Sequence, residues 1–316
     1  MTRTTPPRPV DVEVLFPEVA PYRREVTRLH PRQGEPGVRD SSVGGPLLWP
    51  AGDPWPYCDD SHPAIGFAAP PPGKVPLVPV AQLYAADVPA LPWPPGADLL
   101  QLLWCPYEHE PHLSPRPELR WRASAPIRAA LDAFDAFEGR GGPGGPHPLL
   151  TDPPYPAGAP DDHLPAPCEL HPEQVVEYPR WDLPEELDGV LRQRFDLLEE
   201  ETGWSYWYQL SVAPGIKAGG YPNWTQDPDW PDCEGCGRRM DHLLTVDSAE
   251  FDAESAGTWL PVEDWPPTGR ITDVPYERRR AIQSAHDLMI GDLGGVYVFV
   301  CPRCPQWPYA YRADCS

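Results

Sequence analysis

Two Cys-x-x-Cys pairs, Cys233/Cys236 and Cys301/Cys304, are the residues of this chain whose type and spacing speak most directly of chemistry. Thiolate sulfurs satisfy zinc in closed tetrahedral sites, and a two-residue spacer lets both sulfurs of a knuckle face one ion. Cys233-Glu234-Gly235-Cys236-Gly237 fits such a knuckle, with Gly235 and Gly237 permitting the tight turn, and Cys301-Pro302-Arg303-Cys304 supplies the second pair. The 64 residues between them, 237 to 300, exceed the span of a compact zinc finger, so a domain's own strands must bring the knuckles together. A disulfide or redox role is the competing reading of the same cysteines.

The first half carries a weaker counterpart. Cys58 is followed at a four-residue offset by His62, and Cys105 at the same offset by His109, which makes a mixed set of two cysteines and two histidines, ordinary zinc-ligand types. The bland alternative is two isolated cysteines and two surface histidines; His112 is a substitute ligand, and Cys168 and Cys315 have no evident partner. Each proposed site holds four protein ligands, whereas a hydrolytic zinc keeps a position open for water, so the pattern favours structure over catalysis. The sequence contains no His-Glu-x-x-His, nucleophile elbow, phosphate-binding glycine loop or dinucleotide fingerprint. A hydrolase would have to use carboxylates such as Asp59/Asp60 or Asp161/Asp162, and adjacent acids in polar loops are usually only solvated.

The elements that must position these ligands show an internal repeat. Gly44-Gly45, Trp49, Trp55-Pro56 and Cys58 recur without a gap as Gly219-Gly220, Trp224, Trp230-Pro231 and Cys233. An apolar, strand-like run follows each block, at 75–84 and 242–248, and a second run ends on Cys-Pro in each half: 99–104 before Cys105 and 296–300 before Cys301. The repeated tryptophans are expected to pack over the knuckles, and the Gly-Gly pairs to make turns. Helical spacing is read at 126–137, 184–201 and roughly 276–290, with a Gly/Pro-rich loop at 139–160.

The layout therefore predicts a β-rich α+β fold, internally duplicated, with two zinc-knuckle-like halves and a few packing helices. Its segments are an N-terminal stretch at 1–40, a first β repeat at 41–125, a helical and Gly/Pro-rich connection at 126–205, and a second β repeat with the four-cysteine zinc site at 206–316.

The 316 residues carry a formal charge of −22, and only Lys74 and Lys217 are lysines. Up to Ala125 there are 11 basic and 14 acidic residues; beyond it there are 14 and 33, so the acidity belongs to the second part. Such a surface repels phosphate and argues against a nucleic-acid partner; its readings are solubility or a face for a cationic protein. Met1 to Phe16 lacks the apolar core of a signal peptide, and no segment approaches the roughly 20 apolar residues of a membrane span. A cytoplasmic, membrane-free protein with reduced thiols is expected, in which paired cysteines are metal ligands first.

The Gly-Gly, Trp, Trp-Pro pattern, with Ala81-Gln82-Leu83 in a strand and a further strand running into Cys-Pro, resembles the YwqG-like bacterial domain of unknown function. The second half, with Gly219-Gly220-Tyr221-Pro222-Asn223-Trp224-Thr225-Gln226, the knuckle from Cys233 to Gly237 and Met240, is also similar to the eukaryotic programmed-cell-death-protein-two group. The first resemblance implies a duplicated mixed α and β fold without an established activity. The second implies a chaperone that protects a basic ribosomal protein. Together with the acidic surface, they lead to the expectation of a non-enzymatic, zinc-stabilised module that binds a basic client. An immunity protein neutralising a basic toxin, and a hydrolase of unknown substrate, are the alternatives.

Overall fold

The structure, a computed structural model, describes residues 2–62, 73–138 and 146–315. In chain order the strands are β1 (Arg24–Arg28), β2 (Arg32–Gln33), β3 (Ser42–Val43), β4 (Tyr57–Cys58), β5 (Val75–Pro76), β6 (Val78–Tyr84), β7 (Leu99–His109), β8 (Ser114–Arg122), β9 (Cys168–Glu169), β10 (Glu173–Glu177), β11 (Lys217–Gly219), β12 (Asp241–Asp247), β13 (Gly295–Val300) and β14 (Tyr309–Asp314). The α-helices are α1 (Val12–Leu15), α2 (Ser124–Glu138), α3 (Glu185–Thr202), α4 (Ala256–Trp259) and α5 (Tyr276–Gln283). Two six-stranded antiparallel sheets, ordered β10-β1-β11-β12-β13-β14 and β2-β9-β3-β6-β7-β8, form the frame, and β4-β5 is a separate ribbon. The fold is thus mixed and β-rich, as expected.

Side-chain alternation explains why two central strands read as unbroken apolar runs. Leu100, Leu102 and Trp104 of β7 and Val296, Val298 and Val300 of β13 enter one core shared by both sheets. The opposite parity of each strand faces a smaller cluster: Leu103, Cys105 and Tyr107 on one, Tyr297, Phe299 and Cys301 on the other. A strand buried on both faces has no polar side to show.

The two sheets also match in register. Ser42 and Val43 pair with Gln82 and Ala81, as Lys217 and Ala218 pair with Thr245 and Leu244. The ladder between β6 and β7 shifts between Pro79 and Ala81, and that between β12 and β13 shifts between His242 and Leu244, the corresponding step. The N-terminal stretch supplies a strand to each sheet. Leu29-His30-Pro31 carries the chain from β1, beside β11, to β2, beside β9; Leu170-His171-Pro172 carries it back from β9, beside β3, to β10, beside β1. Arg28 pairs with Glu173 and Arg32 with Glu169, so the two crossings exchange places symmetrically.

The expected helices at 126–137 and 184–201 form as α2 and α3, the latter burying Leu191, Phe195 and Leu198. The third is shorter than expected. It stops at Gln283, because Ser284 leaves helical geometry and Asp287 is left-handed (φ 56°), which sends Ala285, Leu288 and Ile290 into the shared core. The Gly/Pro-rich stretch at 139–160 lies partly outside the described residues.

Candidate metal centres

Cys233 sits at the end of a narrow β-ribbon: Asp232 bridges Arg239, and Met240 N–H donates to the Pro231 carbonyl at 2.9 Å. The chain then turns tightly, with the Cys236 and Gly237 amides donating to the Cys233 carbonyl at 3.3 and 2.7 Å. Gly237 has φ 65°, the left-handed region that glycine adopts without strain, whereas Gly235 has ordinary room for a side chain. Strand β13 delivers Cys301, whose carbonyl accepts from the Cys304 amide at 3.4 Å. The four sulfurs converge: Cys233 to Cys304 is 3.7 Å, Cys236 to Cys301 is 3.6 Å, and all lie within 4.8 Å of one another. Sulfurs at the corners of a tetrahedron with ~2.3 Å metal bonds stand about 3.8 Å apart, and a disulfide would need ~2.05 Å. All eight cysteines of the chain are free of disulfides.

The first-half set also comes together. Cys58 lies on β4, whose pairing with β5 repeats the ribbon geometry, since Leu77 N–H donates to the Pro56 carbonyl at 3.1 Å. The second run does not end on Cys105. Strand β7 continues to His109 through a bulge after Cys105, so one strand presents both Cys105 and His109. Cys58 Sγ stands 3.8 Å from His109 Nε2, and His62 Nε2 stands 3.1 Å from Cys105 Sγ. All four residues are buried and their ligand atoms lie within 4.8 Å. His112 stays apart, its ring against Tyr311, and Cys168 is in the shared core.

The thiols at both places are electrostatically coupled. The hydrogen bond from Cys105 holds the Cys58 thiol well below its ordinary range, while the same bond and burial push Cys105 up. Burial pushes the Cys301 thiol up as well, but the Arg303 amide and neighbouring sulfurs outweigh it and hold it at about 7. Converging thiols that cannot all ionise together are what a divalent cation resolves.

Sequence reasoning missed the groups around the mixed cysteine–histidine set. Asp60 Oδ2 lies 3.5 Å from His109 Nδ1, the ring nitrogen turned away from the sulfurs, and Asp60 is bonded to Arg116. Arg116 Nη2 in turn points at Cys58 Sγ, 3.4 Å away. A carboxylate behind a ligating histidine fixes its tautomer and orientation, so Asp60 is more than a solvated loop acid. Its closeness to Cys58 in sequence was the one available signal. The repeated tryptophans pack as expected: Trp49 and Trp55 against Cys58 and Cys105, Trp224 and Trp230 against Cys233 and Cys301.

Comparison of the chain with family models and with curated proteins finds no match. Among the described residues, no helix is long and apolar enough to cross a membrane.

Proposed function

We propose that this chain is a zinc-stabilised, non-enzymatic module that binds a basic protein, built by duplication of one β unit and kin to the YwqG-like domains. The observation that carries the reading is that each half gathers four protein ligand atoms within 4.8 Å of one another, which fills a tetrahedral ion and leaves no position for water. The four-cysteine set takes one zinc and the mixed cysteine–histidine set a second. The matched registers, the matched bulges and the exchanged Leu-His-Pro crossings support duplication. The free thiols fit a reducing, cytoplasmic setting.

The client surface is best placed on α3. Its exposed side includes Glu185, Glu186, Asp196, Glu199, Glu200 and Glu201, with Val190 and Leu197 exposed among them. Acids around a few apolar side chains suit a basic amphipathic segment, steered by charge and held by apolar contact. A tagged pull-down read by mass spectrometry tests this. The expected result is a basic protein that is released at high salt and lost from an E199K/E200K/E201K variant; recovery of no protein, or of one indifferent to both changes, overturns it. The partner's identity also separates a chaperone from an immunity protein. The hydrolase reading draws no support from the two ligand sets.

A further inference from the structure

A cleft of about 720 Å³ opens beside the four-cysteine knuckle, between the start of α3 and residues 221–241. Its volume is that of a small-molecule site. Two guanidinium groups flank one indole in its wall: Arg24 Cζ lies 6.0 Å and Arg239 Cζ 5.3 Å from the Trp230 ring centre, and Arg24 also covers Tyr221 at 3.9 Å. A guanidinium over an aromatic face is held by cation–π attraction while its N–H groups stay available to donate. Arg24 spends one N–H on the Gly220 carbonyl at 3.0 Å. Among the described residues neither arginine has a carboxylate within ion-pair distance.

Two of the cleft's acids, Asp229 and Asp241, are engaged elsewhere, and the third, Asp182, is bonded within it. Asp229 pairs with Arg312, Asp241 with Arg303 at 3.3 Å, and Asp182 accepts from Trp230 Nε1. Burial raises the Asp182 pKa, while the Trp230 N–H bond and the charges of Arg239 and Arg24 oppose that rise. Leu183, Pro184 and Met240 complete a partly apolar lining. Both guanidinium groups are exposed at the cleft, where Asp182 is the acid whose charge they share, so their remaining N–H groups are open to an anion that enters.

We propose that this cleft binds a small organic anion, with a carboxylate or phosphate held between Arg24 and Arg239 and an apolar or flat body against the Tyr221–Trp230 wall. The cleft adjoins the Glu185–Glu186 end of the proposed client surface, but binding of a small anion in it is read without a protein partner and does not rest on the protein-binding reading. Charge-assisted N–H to oxyanion bonds supply orientation, and the cavity is larger than a bare inorganic anion needs.

Calorimetric titration of the full chain with phenyl phosphate, phenylacetate, inorganic phosphate and benzylamine tests this. One of the two aryl anions is expected to saturate a single site below about 1 mM, with inorganic phosphate about tenfold weaker and benzylamine silent. The stronger aryl anion identifies the charged group. Arg24→Met and Arg239→Met should each weaken binding about tenfold without changing metal content. Absence of saturable heat with both aryl anions, benzylamine binding as tightly as phenylacetate, or unchanged affinity in both variants overturns the proposal. The benzylamine comparison needs no variant to fold.

Discussion

At the residue scale, a few charged groups set against buried partners define what the scaffold tolerates. Asp60 orients His109 from behind, so Asp60→Asn should cost the mixed cysteine–histidine set about 10- to 100-fold in zinc affinity while the four-cysteine set is unchanged; competition with a chromophoric chelator reads both. Asp247 is a different case, an acid at the end of β12 whose pKa burial pushes up to about 7, against hydrogen bonds from Asn223 and the nearby amides and with Glu250 adding repulsion. The folded protein therefore holds this proton more tightly than the unfolded chain does. Stability is fully available below the ordinary aspartate range, falls as pH rises from there to about 7, and stays reduced above it. Asp247→Asn should accordingly raise the melting temperature at pH 8 and have little effect near pH 4; a gain of equal size at both would contradict this account. These features were illegible in the sequence. An aspartate near the end of an apolar strand looks the same whether it is solvated or sealed, and only the packing of β12 against β13 decides.

Among the elements, the Gly-Gly pair at the end of β11 shows how sequence and packing combine. The repeated glycines are expected to make turns; Gly219 instead ends β11, paired with Val26, and Gly220 just beyond it has φ 71° with space for no side chain: a Cβ there would fall 2.0 Å from Glu177 Oε1. That carboxylate is committed, since its Oε2 pairs with Lys217 Nζ at 2.7 Å and accepts from the Ala213 amide at 2.8 Å, all fully buried. Removing one partner strands a buried charge. Lys217→Met alone should destabilise the protein by about 3–5 kcal/mol, and Lys217→Met with Glu177→Leu by clearly less, as read by denaturant unfolding. An additive pair of losses would show that the ion pair is no coupled unit. The strands at 75–84, 99–104, 242–248 and 296–300 were legible because they are long and apolar. The continuation of β7 to His109 was not, because Pro106, Glu108 and the bulge interrupt the pattern that marks a strand.

For the whole molecule, the crossed leading strands carry the larger consequence. Each crossing leaves one strand in each sheet, so β1 lies beside β11 of the second half while β9 lies beside β3 of the first. The common core draws on both sheets as well. Residues 2–138 and 146–315 produced separately should each be unfolded or aggregated, and should associate into one folded particle when produced together; a folded, monomeric half would contradict the exchange. The repeat of Gly-Gly, tryptophans and cysteine was visible because a metal set and a turn demand fixed residue types. The Leu-His-Pro crossings were equally present in the sequence at 29–31 and 170–172, but their offset differs from that of the main repeat, since α3 and its surroundings intervene between β10 and β11.

The central claim is that both halves are closed zinc sites, and native mass spectrometry with X-ray absorption at the zinc edge tests it on the full chain. The account predicts two zinc ions per chain, one with four sulfur neighbours and one with two sulfur and two nitrogen neighbours; Cys236→Ala should remove the first and Cys58→Ala the second. A chain that binds no zinc when folded, or zinc with a water in its first coordination sphere, would contradict it.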